Sequence, residues 1–208
     1  MKHPAKYNSA LLSLFEKLLI DYYAYTVLDC FAGTGRIHEL PFNTYGIEIE
    51  PEWASMTENT IIADAQKIPF RDAAFDAVCT SPTYANRMAD HHNARDKSIR
   101  LTYRHMLGRE LNPKNSGRMQ WGNKYRTLHD NVWKECYRVI RTNGILILNI
   151  KNHIRKGKEI DVFSWHVTSL IAIGFKLRQV LNIPLKGMRF GANCNIRSNY
   201  EYVAVFKK

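Results

Sequence analysis

No apolar run in this sequence reaches the ~18 residues that a membrane-spanning helix needs. The opening Met1-Lys2-His3-Pro4 also lacks the charged and apolar regions of a secretory leader. The expectation is a cytoplasmic protein with no membrane partner. Cysteine is sparse. Cys30, Cys79, Cys136 and Cys194 stand far apart, so no tight pair with zinc-ligand spacing exists. Cys30, Cys79 and Cys136 each sit in an apolar stretch and read as reduced core residues. Internal repeats and low-complexity tracts are missing too, which excludes solenoid and fibrous architectures. What remains is ordinary for a folded domain: 208 residues, 45% hydrophobic and 24% charged. That length supports one sizeable core, so the expectation is a single domain over 1–208.

Acidic residues are scarce in one half only. Residues 1–84 hold 6 basic and 11 acidic residues, whereas residues 85–208 hold 24 basic and 8 acidic residues. The first half suits a neutral or cationic small molecule, and the second suits a polyanion.

Apolar spacing predicts a helix over 9–23 with Ser9 as N-cap, then a short buried strand over 25–29. A small-residue turn, Cys30 to Gly35, follows, and a helix is expected from about Arg36. Strands are expected over 44–48, 60–63 and 75–80, with Pro51 in the first turn of a helix. Residues 85–126 lack apolar periodicity. A helical stripe from near 128 includes Val132, Trp133, Cys136, Val139 and Ile140, and Asn143-Gly144 should end it. A buried strand over 145–150 comes next. A helix over 161–173 should turn Val162, Phe163, Val167, Leu170 and Ile171 inward and stop at Gly174. Strands over 176–183 and 200–206 complete the chain as antiparallel neighbours. Alternating strands and helices imply an α/β fold with a mostly parallel seven-stranded sheet covered on both faces.

Three strand ends carry acids. Asp29 opens the glycine turn, Glu48 ends the second strand, and Asp64 ends the third. A glycine turn between strand and helix lets backbone approach a ligand. A carboxylate at Glu48, or at Glu50 close behind, can accept both hydroxyls of a ribose, and Asp64 can meet an adenine amine. No phosphate-binding lysine follows the glycines, so the turn is not a P-loop. Acids without a phosphate partner suit a positively charged nucleoside. S-adenosylmethionine, with adenine, ribose and a sulfonium, fits.

Motifs now support a resemblance. VLDCFAGTG at 27–35 resembles motif I of the class I S-adenosylmethionine-dependent methyltransferases, closest to the amino-methyltransferases of DNA. GIEIEPEW at 46–53 resembles motif II, IIADAQKIPF at 61–70 motif III, and His3 to Tyr7 motif X. The resemblance implies a Rossmann-like fold with an antiparallel last strand. It also implies a cofactor site of Lys6, Tyr7, Asp29, Phe31, Ala32, Gly33, Gly35, Glu48, Ile49, Asp64, Ala65 and Ser81. It covers residues 3–84 well, and 128–208 only as a pattern of elements.

Ser81-Pro82-Thr83-Tyr84 resembles the catalytic motif IV of that family, with Thr83 in place of the usual second proline. An exocyclic base amine is a poor nucleophile because its lone pair is delocalised into the ring. Acceptors for its two hydrogens, the Ser81 side chain and the Pro82 carbonyl, favour the tetrahedral form that can attack. Proline locks its own φ and so aims its carbonyl. Tyr84 can stack on a base taken out of its helix. Serine in the first position resembles the cytosine N4 enzymes more than the adenine N6 enzymes. The expected activity is methyl transfer to a base amine in DNA, with RNA as the alternative substrate. The motif also occurs in methyltransferases of protein glutamine, against which the basic half argues. Thr83 keeps open a catalytically silent nucleic-acid-binding protein.

Residues 85–126 carry 10 basic and 3 acidic residues directly after Tyr84. Arg87, Arg95, Arg100, Arg104, Arg118 and Trp121, with Arg189 from the last loop, are candidates for phosphates and unstacked bases. A segment of this length suggests a substrate clamp. Asp90-His91-His92 has no companion ligand pair, and the reaction needs no metal. With no target-recognition domain in view, specificity falls to this insertion, to the late loops, or to a partner or second copy.

Overall fold

The computed structural model describes residues 6–85, 102–185, 196 and 199–208. Its framework is a seven-stranded sheet in the order β3-β2-β1-β4-β5-β9-β8. The strands are β1 (Thr26–Asp29), β2 (Asn43–Glu48), β3 (Thr60–Ile62), β4 (Phe75–Thr80), β5 (Ile140–Ile150), β8 (Lys176–Pro184) and β9 (Tyr200–Lys207). β1 to β5 pair in parallel, while β9 runs antiparallel to both β5 and β8. The expected seven-stranded α/β sheet with an antiparallel last strand is therefore the one observed.

Strand alternation splits the core into two layers. Val27, Ala77, Cys79, Ile145, Ile147, Val203 and Val205 point to one face, under helix α1 (Ser9–Asp21). Leu28, Val78, Leu146, Leu148, Ala204 and Phe206 point to the other, under α4 (Asn123–Val139) and α5 (Val162–Ile173). α1 buries Leu11, Leu12, Phe15, Leu18 and Leu19. Its N-cap is Asn8 rather than Ser9: the Asn8 side chain accepts from Leu11 N at 2.8 Å. Among the described residues, no helix is long and apolar enough to cross a membrane.

Four further expectations are corrected. The helix after the glycine turn is only a 3-10 turn over Arg36–Glu39. Leu40 is extended (φ −78°, ψ 145°), as the residue before Pro41 must be, and this stops the helix. α4 starts at Asn123, earlier than expected, and gives way to β5 at Ile140 without a loop. Asn143-Gly144 is accordingly no helix cap. It lies inside β5, where Asn143 takes φ 67° and the register against β4 shifts between Phe75 and Ala77. A Cβ on Gly144 would stand 2.6 Å from the Asp76 carbonyl, so that crossing demands glycine. Finally, α5 turns His166 and Ser169 inward and leaves Ile171 49% exposed.

Shorter elements complete the chain. α2 (Pro51–Ala54) is a single turn, and α3 (Tyr103–Leu107) and a 3-10 turn (Ser116–Arg118) lie in the basic segment. A hairpin of β6 (His153–Arg155) and β7 (Lys158–Ile160) follows β5. Its tip, Lys156-Gly157, has φ of 51° and 73°, as a two-residue hairpin turn requires.

Candidate active site

The carboxyl ends of β1, β2 and β4 open into a cavity of about 300 Å³. This is where ligands bind in parallel sheets, and the size suits a small cofactor. The glycine turn forms one wall. Gly33 takes φ 56° and donates its N–H to Glu48 Oε2 at 3.0 Å. Glu48 Oε1 accepts from Ile49 N and Glu50 N, at 2.8 and 2.9 Å. Burial outweighs these donors and pushes the Glu48 carboxyl up to about 7. Gly46, in β2, keeps the turn close: a Cβ there would stand 2.8 Å from Ala32 Cβ.

Lys6, Tyr7, Phe31, Ala32, Gly33, Glu48, Ile49, Asp64 and Ala65 all line the cavity. Asp29 and Gly35 do not. Asp29 is fully buried behind the wall, where it accepts from Tyr7 Oη and Thr80 Oγ1, each at 2.6 Å, and from Phe31 N at 3.0 Å. Burial raises its pKa to about 6. Its role here is to pin the turn and Tyr7. Glu50 is occupied as well: it binds Arg109 Nη2, Asn112 N and Asn115 Nδ2, each at 2.8 Å. Of the two candidates for a ribose, Glu48 is the one that faces the cavity. A buried carboxylate with spare lone pairs, a turn whose residues line the cavity and no lysine in that turn fit S-adenosylmethionine.

The same cavity reaches the turn after β4, and Ser81, Pro82, Thr83 and Tyr84 all line it. Two residues that pattern reading missed complete this end. Asn149 of β5 donates Nδ2 to Ser81 Oγ at 3.1 Å and to Glu201 Oε2 at 3.2 Å. Glu201 of β9 accepts from the Tyr84 hydroxyl at 3.3 Å. Burial and the Glu201 charge hold the Tyr84 phenol far above its ordinary pKa, so it stays a neutral donor. The signal available was polarity out of place, an asparagine within the apolar run 145–150.

Thr83 is tied on both sides. Its hydroxyl donates to Ser116 Oγ at 2.8 Å, and its carbonyl accepts from Tyr125 Oη at 2.6 Å. Tyr125 Oη is 3.0 Å from His166 Nε2, and Trp133 Nε1 donates to His166 Nδ1 at 3.0 Å. An indole N–H can only donate, so Nδ1 is an acceptor and Nε2 carries the ring hydrogen. Donation therefore runs in one sense: Trp133, His166, Tyr125, Thr83. Burial keeps His166 neutral by pushing its pKa well down.

The described part of the basic segment walls the cavity through Tyr103, Lys114, Asn115 and Ser116. It docks on α2 and on the residues that follow β2 and β3 through Arg109 with Glu50 and Glu52, Lys114 with Asp64 at 3.0 Å, and Tyr103 against Trp53. Arg104 pairs with Glu110 at 2.7 Å, and Arg118 donates to the Leu111 carbonyl at 3.0 Å. Trp121 packs edge-on against Trp165, with the Arg126 guanidinium over its ring. These three nucleic-acid candidates hold the segment together. Arg87, Arg95, Arg100, Arg189 and the Asp90-His91-His92 triplet lie outside the described residues.

No family model matches the chain. Type II methyltransferase M.MthZI of Methanothermobacter thermautotrophicus is 28% identical over 159 residues, covering 62% of this chain. The chain spans 45% of that relative's length. A SAM-dependent methyltransferase of Methanosarcina mazei superposes with a TM-score of 0.55 at 12% identity, covering 92% of this chain and 96% of that one. The 1,6-didemethyltoxoflavin-N1-methyltransferase of Burkholderia thailandensis, with bound S-adenosylhomocysteine, gives 0.55 at 13% identity, covering 97% and 79%. A methyltransferase in complex with the Haloferax volcanii Trm112 activator gives 0.54 at 11% identity, covering 95% and 94%. The chain has the fold of the class I S-adenosylmethionine-dependent methyltransferases.

Proposed function

We propose that this protein transfers a methyl group from S-adenosylmethionine to an exocyclic amine of a nucleobase in DNA, cytosine N4 ahead of adenine N6. The observation that carries this reading is one cavity shared by Gly33 and Glu48 at one end and Ser81 to Tyr84 at the other. Likeness to a type II methyltransferase and the basic second half support a DNA substrate.

When bound, the cofactor supplies an electrophilic methyl group. Glu48 and the turn backbone hold it, and Asp29 fixes Tyr7 beside it. Ser81 Oγ, which already accepts from Asn149, keeps a lone pair for one amine hydrogen, and the Pro82 carbonyl takes the other. Tyr84 meets the base plane. Positioning of amine against methyl supplies most of the rate. Basic residues outside the cavity hold the phosphates.

The test is methyl transfer from tritiated S-adenosylmethionine to unmodified DNA and to total RNA in parallel, with nucleosides identified by mass. N4-methylcytosine or N6-methyladenine in DNA is the expected result. Label confined to RNA would move the substrate and keep the chemistry. No label in either would overturn the reading.

A further inference from the structure

We propose that Glu201 is the proton acceptor of this transfer, a catalytic carboxylate supplied by the last strand rather than by the Ser81–Tyr84 turn. The inference rests on the function proposed above. As the reaction proceeds, the amine lone pair becomes the new N–C bond, and the electrons of the old C–S bond stay on sulfur. The nitrogen is left with a positive charge and one hydrogen too many. Ser81 is neutral and has no capacity to take that proton. Three acids line the cavity among the described residues: Glu48, Asp64 and Glu201. Glu48 is committed to the glycine turn and Asp64 to Lys114 and Gln66 N. Glu201 alone stands at the end where the amine would sit.

Its placement follows from strand register. Asn149 of β5 pairs with Val203 of β9. Glu201 lies two residues from Val203, so all three side chains share one face of the sheet. One nitrogen, Asn149 Nδ2, lies 3.1 Å from Ser81 Oγ and 3.2 Å from Glu201 Oε2. Two acceptors flank that nitrogen, which fixes the carboxamide orientation. Asn149 Oδ1 is then buried with no partner among the described residues. Glu201 is held only by long neutral hydrogen bonds and forms no ion pair among the described residues. Each oxygen keeps a lone pair for an incoming proton. The methylated amine is strongly acidic because its ring withdraws electrons, so a carboxylate is base enough. The proton moves from nitrogen to a Glu201 oxygen, leaving a neutral methylated base and a carboxylic acid that releases the proton to water.

The test is Glu201→Gln, which keeps size and hydrogen bonding. Turnover is expected to fall about 100-fold or more, the usual worth of a proton-transfer group. Calorimetric affinities for cofactor and oligonucleotide should stay at wild-type values. Single-turnover methyl transfer should slow by the same factor as steady-state turnover, which places the loss in the chemical step. Added formate should restore part of the activity of Glu201→Ala. An active wild type whose Glu201→Gln variant keeps wild-type single-turnover rates would overturn the role of Glu201 and leave the function standing. A variant that loses cofactor binding would make Glu201 structural. A wild type that methylates no nucleic acid would overturn both.

Discussion

Glu48 meets two opposed demands. Three backbone N–H groups favour its charged form, yet burial prevails and lifts its pKa to about 7. A ribose diol donates, so it binds best to the ionised carboxylate. Cofactor affinity should therefore strengthen as pH rises through about 7, with Glu48→Gln flattening the response and weakening binding roughly 10-fold. Calorimetry across that range checks both. The Gly33, Glu48 and Ser81–Tyr84 positions were legible because their chemistry sits at strand ends, which a linear reading can locate. Asn149, Glu201 and His166 were not. Asn149 and Glu201 meet the Ser81–Tyr84 turn across 68 and 117 residues, and only strand register brings them there.

At the scale of elements, Thr83 explains its own departure from the resembled motif. A proline has no hydroxyl to reach Ser116, and Ser116 belongs to the segment that Asn115 and Arg109 anchor on Glu50. One part of this segment thus touches Glu50, next to the glycine-turn wall, and another the Ser81–Tyr84 turn. Thr83→Val and Ser116→Ala should each weaken turnover by about 0.5–1.5 kcal/mol of transition-state stabilisation, seen in kcat more than in KM for the cofactor. The double variant should lose no more than the worse single one. Additive losses would separate the two residues. The seven strands of the main sheet were readable, because apolar runs of four to eight residues have few other fates, whereas the short β6–β7 hairpin carries no such run. Helix ends misled where a strand irregularity at Asn143-Gly144 used the same residues as a cap.

Across the whole molecule, buried titratable groups pull in opposite directions. Asp29 and Glu48 have raised pKa values, about 6 and about 7, so they stabilise the fold at low pH and lose that contribution as pH rises through these values. His129, lowered to about 4, and His166, also lowered by burial, stabilise it above their ordinary 6.5 and lose that contribution as pH falls. The two trends overlap between about 4 and about 6.5 and offset each other. Thermal unfolding should vary little there in the wild type. His129→Leu should unmask the carboxylates, so that its melting temperature declines as pH climbs through the same window. A parallel, flat response in the variant would contradict the balance.

The row from Trp133 through His166 and Tyr125 to Thr83 has one further consequence. A row of hydroxyls can reverse all its bonds at once and so has two states. This row begins at an indole, which cannot accept, and so it has one. The Thr83 carbonyl inherits its direction from the packing of α4 against α5, settled before any substrate arrives. Trp133 does not line the cavity, yet it and the Thr83 carbonyl, which can only accept, fix the two ends of the row in the same sense. The hydrophobic core, in this chain, keeps the memory of where the active site points.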